Sequence, residues 1–175
     1  MEIYNVGIAI SSEEPNSRFT TLIEEFINGL TSYSDRLRLV LGGYWGAMKY
    51  LADYAYEKGF TLVFILPSSP RENVPRRRNF IVVSTGLDYP TRSTVLARTS
   101  DVLVALGGRV GSMIEILLAY SYGKPVVIVH GTGYDTDHLP GVFRDSIDSR
   151  YLAPLYYVEN GADASSKVLE ILGLK

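Results

Sequence analysis

The sequence predicts a doubly wound α/β fold with a central parallel sheet, helices on both faces and a core strand order of 3-2-1-4-5. Three observations carry that expectation. Short, almost wholly apolar runs alternate with amphipathic segments along the whole chain. The apolar runs lack the in–out alternation of a half-solvated sheet, so they belong to strands covered on both faces. Two of these runs empty into glycine-rich turns where a strand hands over to a helix.

Taken in order, Ile3–Ile10 (IYNVGIAI) is the first strand. Phe19, Leu22, Ile23, Phe26, Ile27 and Leu30 recur at the spacing of one helical face. They predict a helix from about Ser17, capped by Asn16 or Ser17 and ended at Gly29. Leu37–Leu41 is the second strand and runs into Gly42-Gly43. A helix from Trp45 to Lys58 follows, closed by Gly59, and then Thr61–Leu66, a third strand stopped by Pro67. Ser68–Asn79 is polar and rich in Pro and Arg, which reads as a surface loop, and Phe80–Ser84 as a short extra strand. Thr91–Thr99 reads as helix, Asp101–Leu106 as the fourth core strand, Ser112–Tyr122 as helix and Pro125–Val129 as the fifth core strand. His130–Pro140 is expected to be loop. Leu155–Val158 and Asp163–Leu172 supply a last strand and helix. No internal repeat or low-complexity tract interrupts the pattern.

The 175 residues suggest one domain over 1–175, and a 46% hydrophobic content is ample for its core. A net charge of -2 argues against a nucleic-acid backbone as the main partner. Without cysteine there is no disulfide framework and no thiolate chemistry. MEIYNVGIAI lacks the basic segment of a signal peptide, and no apolar run reaches the ~18 residues of a membrane helix. A cytoplasmic protein with no membrane partner is expected.

Ligands of such sheets bind at the carboxyl ends of the strands. The turns after the first, second, fourth and fifth core strands all lie there. Gly107-Gly108-Arg109-Val110-Gly111-Ser112 joins a strand to a helix. Glycine there lets backbone N–H groups approach an anion, and the helix N-terminus adds unsatisfied donors and partial positive charge. Plain turn geometry explains one such turn equally well. Gly42-Gly43-Tyr44-Trp45-Gly46 repeats the device, however, and two such turns suggest a phosphate-bearing small molecule spanning both. Neither matches the P-loop, and the dinucleotide fingerprint is absent after the first strand, so NAD is not expected. Ser112 and Glu115 have two readings. S-x-x-E is a capping box, but Glu115 could instead be a carboxylate held at the mouth of the anion site.

These residues resemble the LOG-like Rossmann family. The resemblance rests on Thr85-Gly86-Leu87, Arg92, DVLVAL from Asp101, GGRVGSMIE from Gly107 to Glu115, and GKPVV from Gly123. GGYWGAM from Gly42 and Gly131-Thr132-Gly133 add to it. It is strongest from about Leu39 to Gly133. The wider group includes cytokinin nucleoside-monophosphate phosphoribohydrolases (Lonely Guy proteins) and molybdenum cofactor carrier proteins. The threonine-glycine before the arginine and the later GTG resemble the carrier-like branch most. The resemblance implies a Rossmann-like domain binding a nucleoside monophosphate or the molybdenum cofactor at Gly42, Gly43, Gly46, Gly107–Ser112 and Gly131–Gly133. If the chain is a hydrolase, the resemblance implies that Arg92 and Glu115 are catalytic. The hydrolase pattern PGGxGTxxE falls on Gly107–Glu115 with three departures: Gly107 for proline, Arg109 for glycine and Ser112 for threonine. Ser93 stands where a lysine often follows the arginine. A binding, carrier-like role is therefore favoured over cleavage of the N-glycosidic bond of nucleoside 5′-monophosphates.

Other features leave alternatives open. Arg76-Arg77-Arg78 is either a solvated loop or a phosphate-contacting lid. His130, Asp135, Asp137 and His138 read as ordinary turn residues rather than ligands, and no metal is expected. Ser112–Tyr122 is apolar on more than one face, and Tyr50, Tyr54 and Tyr56 enrich the helix after Gly46. That surplus points to a homodimer or higher homo-oligomer, or else to burial under the Pro-Arg loop.

Overall fold

The computed structural model describes residues 2–175. Seven strands form one parallel sheet: β1 (Tyr4–Ile10), β2 (Leu37–Leu41), β3 (Thr61–Leu66), β4 (Phe80–Ser84), β5 (Val102–Gly107), β6 (Val126–Val129) and β7 (Leu155–Val158). Six α-helices connect or follow them: α1 (Ser17–Leu30), α2 (Gly46–Glu57), α3 (Tyr89–Thr99), α4 (Val110–Ser121), α5 (Leu139–Val142) and α6 (Gly161–Ile171). The strand order is β4-β3-β2-β1-β5-β6-β7, which corrects the expected 3-2-1-4-5. Phe80–Ser84 is not an extra piece. All five of its residues pair in parallel with Leu62–Leu66 of β3, so it enters the count and extends one edge, while β7 extends the other.

The apolar runs divide between two cores by the period of the strand. Val6, Ile8 and Ile10 of β1 point to the face covered by α1, α2 and α6. Ala9 points to the opposite face, where Leu96 and Ala97 of α3, Ile116 and Ala119 of α4, and Leu139 of α5 pack. Ile23, Phe26, Ile27 and Leu30 of α1 are fully buried, and each such side chain contributes about 1.5–3 kcal/mol. The Asn16 side chain caps α1 by accepting from the Phe19 amide at 2.9 Å.

Gly29 does not end α1. It lies inside the helix because α6 crosses there, and a Cβ on Gly29 would stand 2.0 Å from Ser165 Oγ. Other boundaries also move. α3 begins at Tyr89 because Asp88 accepts from the Thr91 amide and Pro90 occupies a first-turn position. α4 begins at Val110, two residues before Ser112. The segment expected to be loop after β6 holds a short 3-10 turn, Asp135–His138, and α5.

The tyrosines of α2 are satisfied within the chain. Tyr50 donates to Glu24 at 2.5 Å and Tyr54 to Asn28 at 3.0 Å, both on α1. Tyr56 packs edge-on against Phe80. The outer face of α4 is different. Leu117 is 43% and Val110 68% exposed, and the Pro-Arg loop does not cover them.

Candidate functional site

β1 lies between β2 and β5. The chain covers one face of the sheet after β1 and β2, and the other face after β5. That reversal opens a crevice at the carboxyl ends of the strands, the place where doubly wound sheets bind ligands. A cavity of about 610 Å3 occupies it, within the ~300–1,000 Å3 of typical small-molecule sites. Ile8 and Ile10 line it, followed by Ser11, Ser12 and Glu13 of the β1–α1 turn. The β1–β5 register shifts between Ala9 and Ile10, so that Ile10 pairs with Gly107, and the Ser11 amide donates to the Gly107 carbonyl at 2.8 Å. Such irregularities at a sheet rim re-aim the residues beyond them. Trp45 and Met48 at the start of α2, and Tyr89 and Pro90 at the start of α3, complete an apolar wall. The Trp45 and Tyr89 rings meet edge to face, their centroids 6.0 Å apart.

The polar end is built from α3 and α4. Arg92 Nη1 lies 3.0 Å from Glu115 Oε1, and Ser93 Oγ donates to the same oxygen at 3.2 Å. Arg92 and Glu115 are each 7% exposed. Among the described residues, both side-chain hydrogen bonds to Glu115 fall on Oε1 and none on Oε2, while Arg92 Nε is buried with no acceptor. Burial pushes the Glu115 carboxyl above the usual glutamate range and outweighs the opposing pull of Arg92 and Ser93. Gly42 makes room for the arginine, since a Cβ there would stand 1.9 Å from Arg92 Nη1. The glycine after β2 thus serves the ion pair directly.

The capping-box reading fails on geometry. Arg109, not Ser112, is the cap residue of α4, and its side chain makes no capping hydrogen bond. Ser112 is already the third helical residue, and Glu115 turns toward Arg92. The first helical bond into the turn runs from the Met113 amide to the Arg109 carbonyl at 3.1 Å. Among the described residues, the amides of Val110, Gly111 and Ser112 have no protein acceptor, and all three residues line the cavity. The end of α4 therefore offers unpaired donors and the positive end of its dipole to the space. The Gly108 amide is already committed, donating to Thr136 Oγ1 at 3.1 Å.

Arg109 stands at the mouth, 2.7 Å from Glu13 and 4.0 Å from Asp135. Arg71, from the loop between β3 and β4, lines the mouth as well. Lys49–Glu72 at 2.8 Å and Arg77–Asp53 at 2.7 Å stitch that loop to α2. Of the arginine triplet, Arg77 is this stitch and also stacks on Tyr56 and Phe80, whereas Arg76 and Arg78 face solvent.

The structure brings Gly42, Arg92, Arg109, Val110, Gly111, Ser112 and Glu115 to one cavity. Gly43, Gly46, Gly107 and Gly108 stand outside its lining. Gly131 and Thr132 line a separate cavity of about 270 Å3 beside the start of α1. The Gly131–Gly133 turn is held by Asp137, which accepts from the Thr132 amide, the Thr132 hydroxyl and the Gly133 amide. Among the described residues no three His, Asp or Glu side chains come together as metal ligands. Sequence reasoning missed the apolar wall, Arg71 and Glu13. Trp45 lay in plain view between the glycines of the second turn, and Tyr89 lies one helical turn before Arg92.

A model of the SLOG cluster4 family matches residues 6–155. An uncharacterized protein from Archaeoglobus fulgidus is 30% identical over 99 residues, 53% of this chain and 64% of that one, so the match spans less than two thirds of the relative. The crystal structure of TM1055 superposes with a TM-score of 0.81 at 30% identity, covering 96% of this chain and 99% of that one. The molybdenum cofactor binding protein from Rippkaea orientalis superposes with a TM-score of 0.77 at 19% identity, covering 98% and 99%. DNA processing protein A from Streptococcus pneumoniae superposes with a TM-score of 0.67 at 16% identity, covering 94% of this chain and 62% of that one. At such identities the last two likenesses speak for the fold alone.

Proposed function

The chain belongs to the SLOG cluster4 family, and from that premise we propose that it is a carrier-like binding protein for a phosphate-bearing small molecule, a nucleotide or a molybdopterin-type cofactor. One observation carries the reading. A single cavity joins the amides of α4, unpaired among the described residues, to a buried arginine whose Nε has no acceptor among them. Buried donors without partners are rare, and a ligand with a phosphate at one end and polar ring or sugar atoms at the other complements them. The residues suit either guest. Val110, Gly111 and Ser112 would hold the phosphate, Trp45, Met48 and Tyr89 would flank the ring, and Arg92 and Glu115 would face its polar edge. The molybdenum cofactor, where it is the guest, would bring its own redox chemistry, and this chain's residues would bind and shelter it.

The contact between Arg92 and Glu115 favours a second reading, a nucleoside 5′-monophosphate phosphoribohydrolase. Water would add to C1′ of the ribose as the bond to the base breaks, and the departing base would take up a proton. Glu115 Oε2, without a hydrogen-bond partner among the described residues, would stabilise the positive charge developing on the sugar or accept the proton of water. Arg92 would keep Glu115 oriented.

The test is incubation of the purified protein with a panel of nucleoside 5′-monophosphates, with free base followed by chromatography and the bound state by native mass spectrometry. Retention without base release supports the carrier reading. Release that disappears in Glu115→Gln supports the hydrolase. Because DNA processing protein A shares the fold, a single-stranded oligonucleotide belongs in the panel, and retention of DNA alone would overturn both readings.

A further inference from the structure

Arg109 fills the turn position where the hydrolase pattern has glycine. As the cap residue of α4 it stands next to the three unpaired amides, yet its guanidinium is turned to Glu13, 2.7 Å away. The pair is shallow, with the Arg109 side chain 65% and Glu13 48% exposed, and so exposed a contact exchanges readily with solvent and with other anions. Glu13 lines the same cavity as the amides, so an unpaired carboxylate there would repel a phosphate. Nothing stands within 4 Å of where a Cβ on Gly111 would point, which leaves the approach to the helix end open. Arg71, which lines the same cavity, has no carboxylate within salt-bridge distance among the described residues. The loop that carries it is fixed by the Lys49–Glu72 and Arg77–Asp53 pairs.

We propose that Arg109 is a latch that selects dianionic phosphate: the ligand's phosphate competes with Glu13 for Arg109, and Arg71 adds a second cation to the same cavity. This rests on the phosphate-site reading above and adds to it the means by which the site would tell a terminal phosphate monoester from a phosphodiester. A monoester carries close to two negative charges above its second pKa of about 6. It can therefore engage the helix end and still draw Arg109 from Glu13. A diester carries one charge and has less with which to compete. Empty, the site keeps Glu13 neutralised. Loaded, it releases Glu13 to solvent.

The test is an amide chemical-shift titration of 15N-labelled protein with methyl phosphate and, separately, dimethyl phosphate at pH 7.5. The signals of Val110, Gly111 and Ser112 are followed in the wild type, Glu13→Gln, Arg109→Gln and the double variant. The latch predicts that methyl phosphate moves these amides and binds at least about fivefold more tightly than dimethyl phosphate. Glu13→Gln should tighten methyl phosphate by about three- to tenfold by freeing Arg109. Arg109→Gln should weaken it by about tenfold, the effect of one charge-assisted contact at a partly exposed site. In the Arg109→Gln background, Glu13→Gln should tighten methyl phosphate by a smaller factor than in the wild type, because only the repulsion from the unpaired carboxylate is then relieved and no ion pair has to break. Should methyl phosphate move the amides with equal affinity in all four proteins, the latch is wrong and the phosphate site stands. Should neither ester move them, the phosphate-site reading falls, and the latch with it.

Discussion

Arg92 reaches Glu115 through space that a side chain on residue 42 would fill. Gly42→Ala should therefore push the guanidinium aside and cost about 1–3 kcal/mol in urea unfolding. Gly111→Ala, with open space around it, should change stability by less than about 0.5 kcal/mol. The same ion pair sets a pH dependence. Burial raises the Glu115 carboxyl in the folded state above its ordinary value of 4.5, so between that value and its raised folded value the native chain binds more protons than the unfolded one. The stability that protonated Glu115 contributes is fully present below pH 4.5 and is lost as pH rises through its folded pKa. The stability of wild type relative to Glu115→Gln should accordingly fall over that window, and a flat difference from pH 4 to 8 would show that the carboxyl is not shifted. Arg92 and Glu115 were legible in the sequence through their motif. Ser93 as a partner of Glu115 was not, because a serine beside an arginine carries no signal until α3 and α4 are packed face to face.

α4 combines three functions along twelve residues. Its first turn presents open amides, its inner face carries the one charged residue of the helix into the site, and its outer face is left apolar. The sequence foresaw the helix but placed its start at Ser112, because S-x-x-E is a strong local signature and Arg109 is a weak cap. If Ser112 were the cap, Ser112→Ala would cost about 1 kcal/mol. As an interior residue it should cost less than about 0.5 kcal/mol, which thermal unfolding can separate. We propose that this outer face is where the expected homodimer or higher homo-oligomer would pack. Leu117→Glu should then convert a sedimenting dimer to a monomer with unchanged circular dichroism, while an unaffected sedimentation coefficient would remove this face from the interface. Gly29 illustrates the other kind of misreading. A glycine near a helix end resembles a stop signal, and only the crossing of α1 by α6 reveals that it is a contact.

At the scale of the whole chain, strand positions were readable to within a residue or so, because the apolar runs of β1, β2, β3, β5 and β6 are largely buried. Their order in the sheet was harder. The edge strand β4 is as apolar as an interior strand, yet Ile81 and Val82 are 44% and 46% exposed, so composition does not separate edge from interior. The register between β1 and β5 has a consequence for how the chain comes to be folded. β1 is bracketed by β2, near in sequence, and by β5, whose anchoring contact, Asn5 amide to Asp101 carboxylate, spans 96 residues. A ribosome releases β1 to β4 well before β5 exists, so the middle strand of the finished sheet spends that interval as an apolar edge. Long-range parallel pairing of this kind is slow to form. A fragment ending at Thr99 should therefore bind a hydrophobic dye and partition with chaperones, and it should acquire native-like near-ultraviolet circular dichroism only when residues 100–175 are supplied. The crevice between β1 and β5 would then be the last part of the molecule to close during biosynthesis, and a ligand waiting there would reward the completed chain alone.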